Sequence, residues 1–195
     1  MPLTPEEIFE QSSTVLKGHF SLASGLHSPV YWEKFRVLQY PDLTEELCRL
    51  IANHFRKDKV QVVVGPTTGG VILAYETARQ LGVRGIFVEK EPGSEKRALR
   101  RDFKISPGER VLIVDDIITT GKSIQEVIDV VTPTGGKLVG IAVMVDRCEK
   151  PQDFGVPFFS CLRVHAEAYR PESCPLCKKC IPLTHRGTSI PPPAK

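Results

Sequence analysis

Val111-Leu112-Ile113-Val114-Asp115-Asp116-Ile117-Ile118-Thr119-Thr120-Gly121-Lys122-Ser123 is the stretch on which the reading of the chain turns. Val111 to Val114 form a short, β-branched-rich apolar run, the pattern of a strand buried on both faces. Asp115 and Asp116 follow, so the strand carries two adjacent carboxylates to its tip. Thr119 to Ser123 then supply hydroxyls, a glycine and the start of a helix over 124–131. Free backbone N–H groups and the positive end of the helix dipole suit a phosphate. The hydroxyls of Thr119, Thr120 and Ser123 add donors. Carboxylates so close to a phosphate repel it unless they face something else, and sugar hydroxyls or a magnesium ion are the obvious partners. The strand tip therefore reads as a sugar-phosphate site. A plain strand–turn–helix with an aspartate cap competes with that reading. A Walker A loop does not: the glycine it needs five residues before Gly121 is Asp116.

The same grammar extends in both directions. Upstream, Val60 to Val64 is a strand ending at Gly65-Pro66-Thr67-Thr68-Gly69-Gly70, followed by a helix over 71–81 closed by Gly82 and a strand over 85–88. Downstream, Gly135-Gly136 ends the helix, 138–145 is a fourth strand and 158–164 a fifth. Thr4-Pro5-Glu6-Glu7 opens an N-terminal helix carrying Ile8, Phe9, Val15 and Leu16, and a second helix spans 43–55. Strands alternating with helices predict an α/β fold: a mostly parallel central sheet flanked by helices, with a small hood from the N-terminal segment and the C-terminal region. The expected parts are 1–40 (helix, hood and substrate loop), 41–165 (core) and 166–195 (cysteine-rich turn and a frayed proline tail). The glycine-rich and acidic loops fall at strand carboxyl ends, where such sheets bind ligands.

Composition narrows the class. Of 195 residues 41% are hydrophobic, enough for a buried core and too many for a disordered chain. The apolar runs are too short to span a membrane. The acidic opening lacks the apolar region of a secretory signal. A net charge of +3 argues against a generic nucleic-acid binder. Six cysteines without an export signal read as reduced thiols or metal ligands in the cytoplasm.

The thirteen-residue stretch resembles the signature of the type I phosphoribosyltransferases, which bind 5-phosphoribosyl 1-pyrophosphate (PRPP). The likeness extends to the orotate branch. His19-Phe20-Ser21-Leu22-Ala23-Ser24-Gly25-Leu26-His27-Ser28-Pro29-Val30-Tyr31 is similar to its N-terminal substrate loop, Val64 to Gly70 resembles its pyrophosphate loop, and Val145-Asp146-Arg147 matches the strand end whose arginine contacts orotate. The resemblance implies a homodimeric, magnesium-dependent transferase acting on PRPP and orotate. It implies that Asp115 and Asp116 hold the ribose hydroxyls and that Ile117, Ile118, Thr119, Thr120, Gly121, Lys122 and Ser123 bind the 5-phosphate end. Ser24 and Gly25, with Thr67, Thr68, Gly69 and Gly70, would line the substrate and pyrophosphate loops, and Arg147 would take the base. A purine phosphoribosyltransferase, or a PRPP-binding nucleic-acid regulator of the same fold, is the alternative.

Three cations of the family pattern are missing: Ala23, Gly69 and Glu89 stand where lysine, lysine and arginine are usual. Lys90, Lys96, Arg97, Arg100 and Arg101 are the expected replacements. Residues 91–103 read as a charged hairpin lid, with Lys90 at the hinge and Lys96 and Arg97 at the tip. The basic run reads as a solvated lid rather than a nucleic-acid patch. Cys174-x-x-Cys177-x-x-Cys180 with His185, near Pro175 and Gly187, has the spacing of a zinc knuckle, against three reduced thiols in a turn. His19 and His27 read as loop histidines with backbone partners. Trp32 and Phe35 are expected to pack the hood, and Tyr31 to pack there or border the base pocket.

Overall fold

The computed structural model describes residues 2–22, 24–94, 96–165 and 167–186. In chain order its elements are α1 (Pro5–Gln11), β1 (Val15–Ser21), β2 (His27–Trp32), α2 (Phe35–Leu38), α3 (Pro41–Phe55), β3 (Val62–Pro66), α4 (Gly69–Leu81), β4 (Arg84–Lys90), β5 (Arg97–Leu99), β6 (Arg110–Ile118), α5 (Lys122–Val131), β7 (Lys137–Asp146), β8 (Phe158–Arg163), α6 (Pro175–Lys178) and β9 (Thr184–His185). One sheet runs in the order β5-β4-β3-β6-β7-β8. Its strands are parallel apart from β5, which pairs antiparallel with β4 at the edge. The α/β expectation is met, and every residue of β3 is buried.

Alternation along β6 sorts its side chains onto two faces. Leu112 and Val114 join a cluster with Leu47, Ile51 and Phe55 of α3 and Leu73 of α4. Val111 and Ile113 join a second cluster with Ile124, Val127 and Val131 of α5. Each face of the strand thus has its own helical cover. No helix among the described residues is long and apolar enough to cross a membrane.

A smaller sheet, β2-β1-β9, forms the hood. Here the sequence reading needs correction, because Val15 and Leu16 belong to β1 rather than to the first helix. Thr4 and Glu7 form a reciprocal capping box at the start of α1. At its end the Ser12 hydroxyl donates back to the Ile8 carbonyl at 2.8 Å, and Ser13 takes φ 50. That combination turns the chain out of the helix. The polar stretch up to Pro29 holds an antiparallel hairpin, β1 with β2. The tail 191–195, Ala23 and Gly187 lie outside the described residues.

β7 and α3 approach closely at Gly140. A Cβ added at Gly140 would overlap the ring of Phe55, which is 1% exposed. Gly140→Ala must displace that ring and is expected to destabilise the fold by about 1–3 kcal/mol, as overpacking does. Chemical denaturation with an unchanged slope would register it.

Candidate active site

The two acids occupy the last part of β6, and the strand's alternation turns them opposite ways. Asp115 follows Val111 and Ile113 onto the α5 side. Its Oδ2 accepts from the Ser123 hydroxyl at 2.7 Å and its Oδ1 from the Asp116 amide at 2.8 Å. Asp116 follows Leu112 and Val114 to the other side. There it pairs with Lys34 Nζ at 2.7 Å and accepts from the Ile117 amide at 2.7 Å. Both residues are almost fully buried, at 5% and 4% exposure. Burial first, and then the charge of Asp116, push the Asp115 carboxyl up to about 7.

A cleft of about 770 Å³ opens at the carboxyl end of the sheet, lined among others by Ser24, Tyr31, Lys34, Asp116, Ile117, Thr119, Thr120 and Arg147. Of the two acids, Asp116 faces it. Ile118 does not contribute its side chain, being 1% exposed in the core, although its carbonyl accepts from the Arg147 amide at 2.9 Å. The Ser123 hydroxyl is engaged with Asp115. Gly121 caps α5 at φ +79, where a Cβ would meet Gln152 Oε1 and Phe154 Cζ, each at 3.2 Å. Lys122 points to solvent with its side chain 83% exposed. Arg147 is half-buried at the end of β7, and its buried Nε finds no hydrogen-bond partner among the described residues. Burial lowers the affinity of its guanidinium for a proton. Asp146, its neighbour in the chain, pairs with Arg163 at 3.5 Å.

The Thr67–Thr68 peptide is cis, and α4 begins at Gly69. A Cβ at Gly69 would collide with the Asp116 carboxylate, so the loop and the acid tip pack directly on each other. The lid is more firmly held than its charge suggested. Arg97 lies in β5 rather than at the hairpin tip. Its Nε donates to Glu126 of α5 at 2.8 Å and its Nη1 to Thr67 Oγ1 at 3.3 Å. Arg101 pairs with Glu89 at 2.8 Å, and Arg100 approaches the same carboxylate at 3.6 Å. Phe103 meets Phe87 edge-on, with ring centroids 5.1 Å apart. Lys90 closes β4, and the Lys96 amide donates to Ser94 Oγ at 3.0 Å; neither lysine lines the cleft.

The cysteine knuckle is not assembled as its spacing suggested. Cys174 and Cys177 do converge, but on His19 and His27 of the hood hairpin, with the four ligand atoms within 4.8 Å of one another. Cys180 and His185 are exposed and outside that group. Four features escaped the sequence reading. They are Lys34 on Asp116, Gln152 and Phe154 behind Gly121, the cleft contacts of Ala168 and Arg186, and the histidine–cysteine cluster. Only the paired aromatics Tyr31-Trp32 ahead of Lys34 hinted at a wall there.

Comparison with known proteins decides the family. A family model described as the phosphoribosyl transferase domain matches residues 36–167. The orotate phosphoribosyltransferase of Caldanaerobacter subterraneus subsp. tengcongensis is 48% identical over 182 residues, 93% of this chain and 95% of that protein. This chain belongs to the orotate phosphoribosyltransferase family. The orotate phosphoribosyltransferase structure from Aeropyrum pernix superposes with a TM-score of 0.67 at 28% identity, covering 82% of this chain and 94% of that one. Adenine phosphoribosyltransferase from Rhodothermus marinus aligns at a TM-score of 0.60 and 25% identity, over 69% of this chain and 86% of that one. Within this family the cleft at the β6 tip is the candidate active site.

Two outcomes follow from the geometry. Asp115 has a folded-state value above the 3.8 of a free aspartate, so its contribution to stability is fully present below about pH 4 and is lost as pH rises through about 7. Between pH 5 and 8 the melting temperature of the wild type should fall more steeply than that of Asp115→Asn. The difference should be at least about 2–4 °C, the shift that roughly 1 kcal/mol produces at this size. At the turn, Gly121→Val places a β-branched residue at positive φ, a strain of about 1–3 kcal/mol. Titration with ribose 5-phosphate should show about tenfold or greater weakening for that variant, and little change for Lys122→Ala.

Proposed function

We propose that the chain transfers the phosphoribosyl group of PRPP to orotate, giving orotidine 5'-monophosphate and pyrophosphate in pyrimidine nucleotide biosynthesis. The observation that carries this reading is Arg147. An arginine with a buried, unpartnered Nε in a cleft is costly unless a ligand completes it. Its planar fork matches a carboxylate or a carbonyl-rich edge, which orotate offers and adenine does not. Relatives sharing nearly half of the sequence are named for that reaction.

The residues then divide the substrate among them. Thr119, Thr120 and the Gly121 turn, at the N-terminus of α5, receive the 5-phosphate. Asp116 exchanges part of its contact with Lys34 for the ribose hydroxyls, and Asp115 fixes the turn through Ser123. The loop from Thr67 to Gly70 faces the pyrophosphate, with Arg97 held against Thr67. As pyrophosphate departs, C1 gains oxocarbenium character and the base nitrogen attacks with inversion. The Asp116 carboxylate stabilises that charge, and catalysis is positioning and electrostatics. The acidic tip and its neighbouring hydroxyls fit the Mg2+ that accompanies PRPP, which supplies neutralisation of the leaving-group charge. Lys90 and Lys96, which do not line the cleft, are assigned to the same leaving group on closure of the lid hairpin. Ser24 and Gly25 complete the hood side. The cytoplasm is the compartment in which free thiols such as the six here persist. A homodimer would cover the exposed Ile72 and Tyr75 of α4.

Incubation with PRPP and Mg2+ against orotate, uracil, adenine, hypoxanthine, guanine and xanthine tests the assignment directly. Orotate alone should be consumed; use of a purine instead would overturn it. Arg147→Ala removes a charge-assisted contact of about 1.5–3 kcal/mol, so KM for orotate should rise roughly 10- to 100-fold while PRPP affinity stays nearly unchanged. Steady-state kinetics with each substrate varied in turn separates the two effects.

A further inference from the structure

We infer that His19, His27, Cys174 and Cys177 form a tetrahedral structural zinc site that clamps the C-terminal segment onto the hood hairpin. The four residues come from three places in the fold: the end of β1, the start of β2, and the N-cap and third residue of α6. The hairpin register shifts between Lys17 and Phe20, and His19 sits inside that irregular stretch, where it is 2% exposed. His27 is 7% exposed and Cys174 is fully buried.

Four of the six distances among the ligand atoms are close to those of a coordination sphere, and all six are within 4.8 Å. A zinc ion with thiolates at roughly 2.3 Å and imidazole nitrogens at roughly 2.0–2.1 Å sets nitrogen from nitrogen by roughly 3.3 Å and nitrogen from sulfur by roughly 3.6 Å. Here His19 Nε2 lies 3.0 Å from His27 Nδ1. Cys174 Sγ and Cys177 Sγ lie 3.6 and 3.8 Å from His19 Nε2, and Cys177 Sγ lies 3.4 Å from His27 Nδ1.

The hydrogen bonding points the same way. His19 Nδ1 is 2.7 Å from the Ile181 carbonyl, which can only accept, so Nδ1 carries the proton and Nε2 presents a lone pair to the cluster. A carbonyl behind a ligating imidazole is the usual outer partner that fixes tautomer and orientation. Without a metal, His27 Nδ1 and the Cys174 thiol both crowd that one lone pair, and the Cys177 thiol lies within reach of either ring. A cation at the centre removes the surplus. Binding is balanced by loss of two thiol protons to solvent, giving a neutral centre of two thiolates and two imidazoles around Zn2+.

Such a centre would tie together pieces that backbone pairing joins only briefly. β9 meets β1 at two positions, and His27 bridges Tyr169 through two 2.8 Å backbone bonds. On the reading of the cleft as the orotate site, the metal would set one of its walls, because Ala168 and Arg186 line it. The ligand set itself does not depend on that reading.

Elemental analysis of the purified full chain tests it. About one zinc per chain is expected for a closed four-ligand site. The double variant Cys174→Ser with Cys177→Ser should lose at least nine-tenths of the metal. Cys180→Ser with His185→Ala should retain it. Because the first variant can misfold, wild-type protein stripped with a chelator is titrated with Co2+. Thiolate-to-cobalt charge transfer and the visible bands of tetrahedral Co2+ should saturate at one equivalent. The assignment is overturned if the wild type holds no zinc and develops no cobalt bands, if mass spectrometry finds a Cys174–Cys177 disulfide in the native chain, or if Cys180 and His185 prove to be the residues whose loss releases the metal.

Discussion

Two carboxylates side by side on a buried strand repel each other, and burial penalises both. The strand resolves part of this by geometry alone, since successive side chains leave on opposite faces. What remains is a requirement for separate compensation on each face. On one side Asp115 takes a hydroxyl from the first turn of α5 and lies nearer its neutral form. On the other Asp116 stays against Lys34, the start of α4 packs on its carboxylate, and Gly69 leaves the room. The β6 tip therefore fixes where both helices begin, and with them the phosphate turn and the loop from Thr67 to Gly70.

The family pattern expects three cations that this chain lacks, and the structure shows how its charge is redistributed. At Gly69 a side chain of any length would displace Asp116, so a lysine there and the Asp116–Lys34 pair are alternatives in the same space. Lys34 brings its charge to the acid tip from the hood side instead. Glu89, standing where arginine is usual, receives both Arg100 and Arg101. Glu89 offsets one of those two positive charges on their own hairpin, and Arg97 pairs with Glu126. Pairing of this kind reduces the field of the run without abolishing it.

The sheet was legible because its strands announce themselves. Val62 to Val64 and Val111 to Val114 are buried on both faces and read as continuous apolar runs. The acid tip and the glycine turn were legible because their chemistry is local in sequence. The hood was not. Its strands are only partly buried, they contain Gly18 and Pro29, and the helix that precedes them stops through a serine side-chain bond that no periodicity reveals. Lys34 and the histidine–cysteine group were hidden for another reason. Cys174 and His19 are 155 positions apart, and nothing in the spacing Cys-x-x-Cys-x-x-Cys says that the last thiol is left out while the partners come from the other end of the chain.

That separation has a structural logic. A parallel sheet presents phosphate-binding turns at its carboxyl ends almost by construction, so the proposed function gives the sugar-phosphate half of the cleft to β6 and α5. The base half has no such template. It must be enclosed by segments laid over the sheet, here the loop after β1, the residues after β2 and the C-terminal stretch that contributes Ala168 and Arg186. Among the described residues, the loop after β1 and the C-terminal stretch from Ala168 contribute nothing to the buried residues of either core cluster. Short strands and a few backbone bonds are a weak basis for a wall that, on the proposed reading, holds a planar base against Arg147. A cross-link between the two chain ends is what such an arrangement lacks, and the convergence of two imidazoles and two thiols at that junction meets the need where the hydrophobic core does not reach.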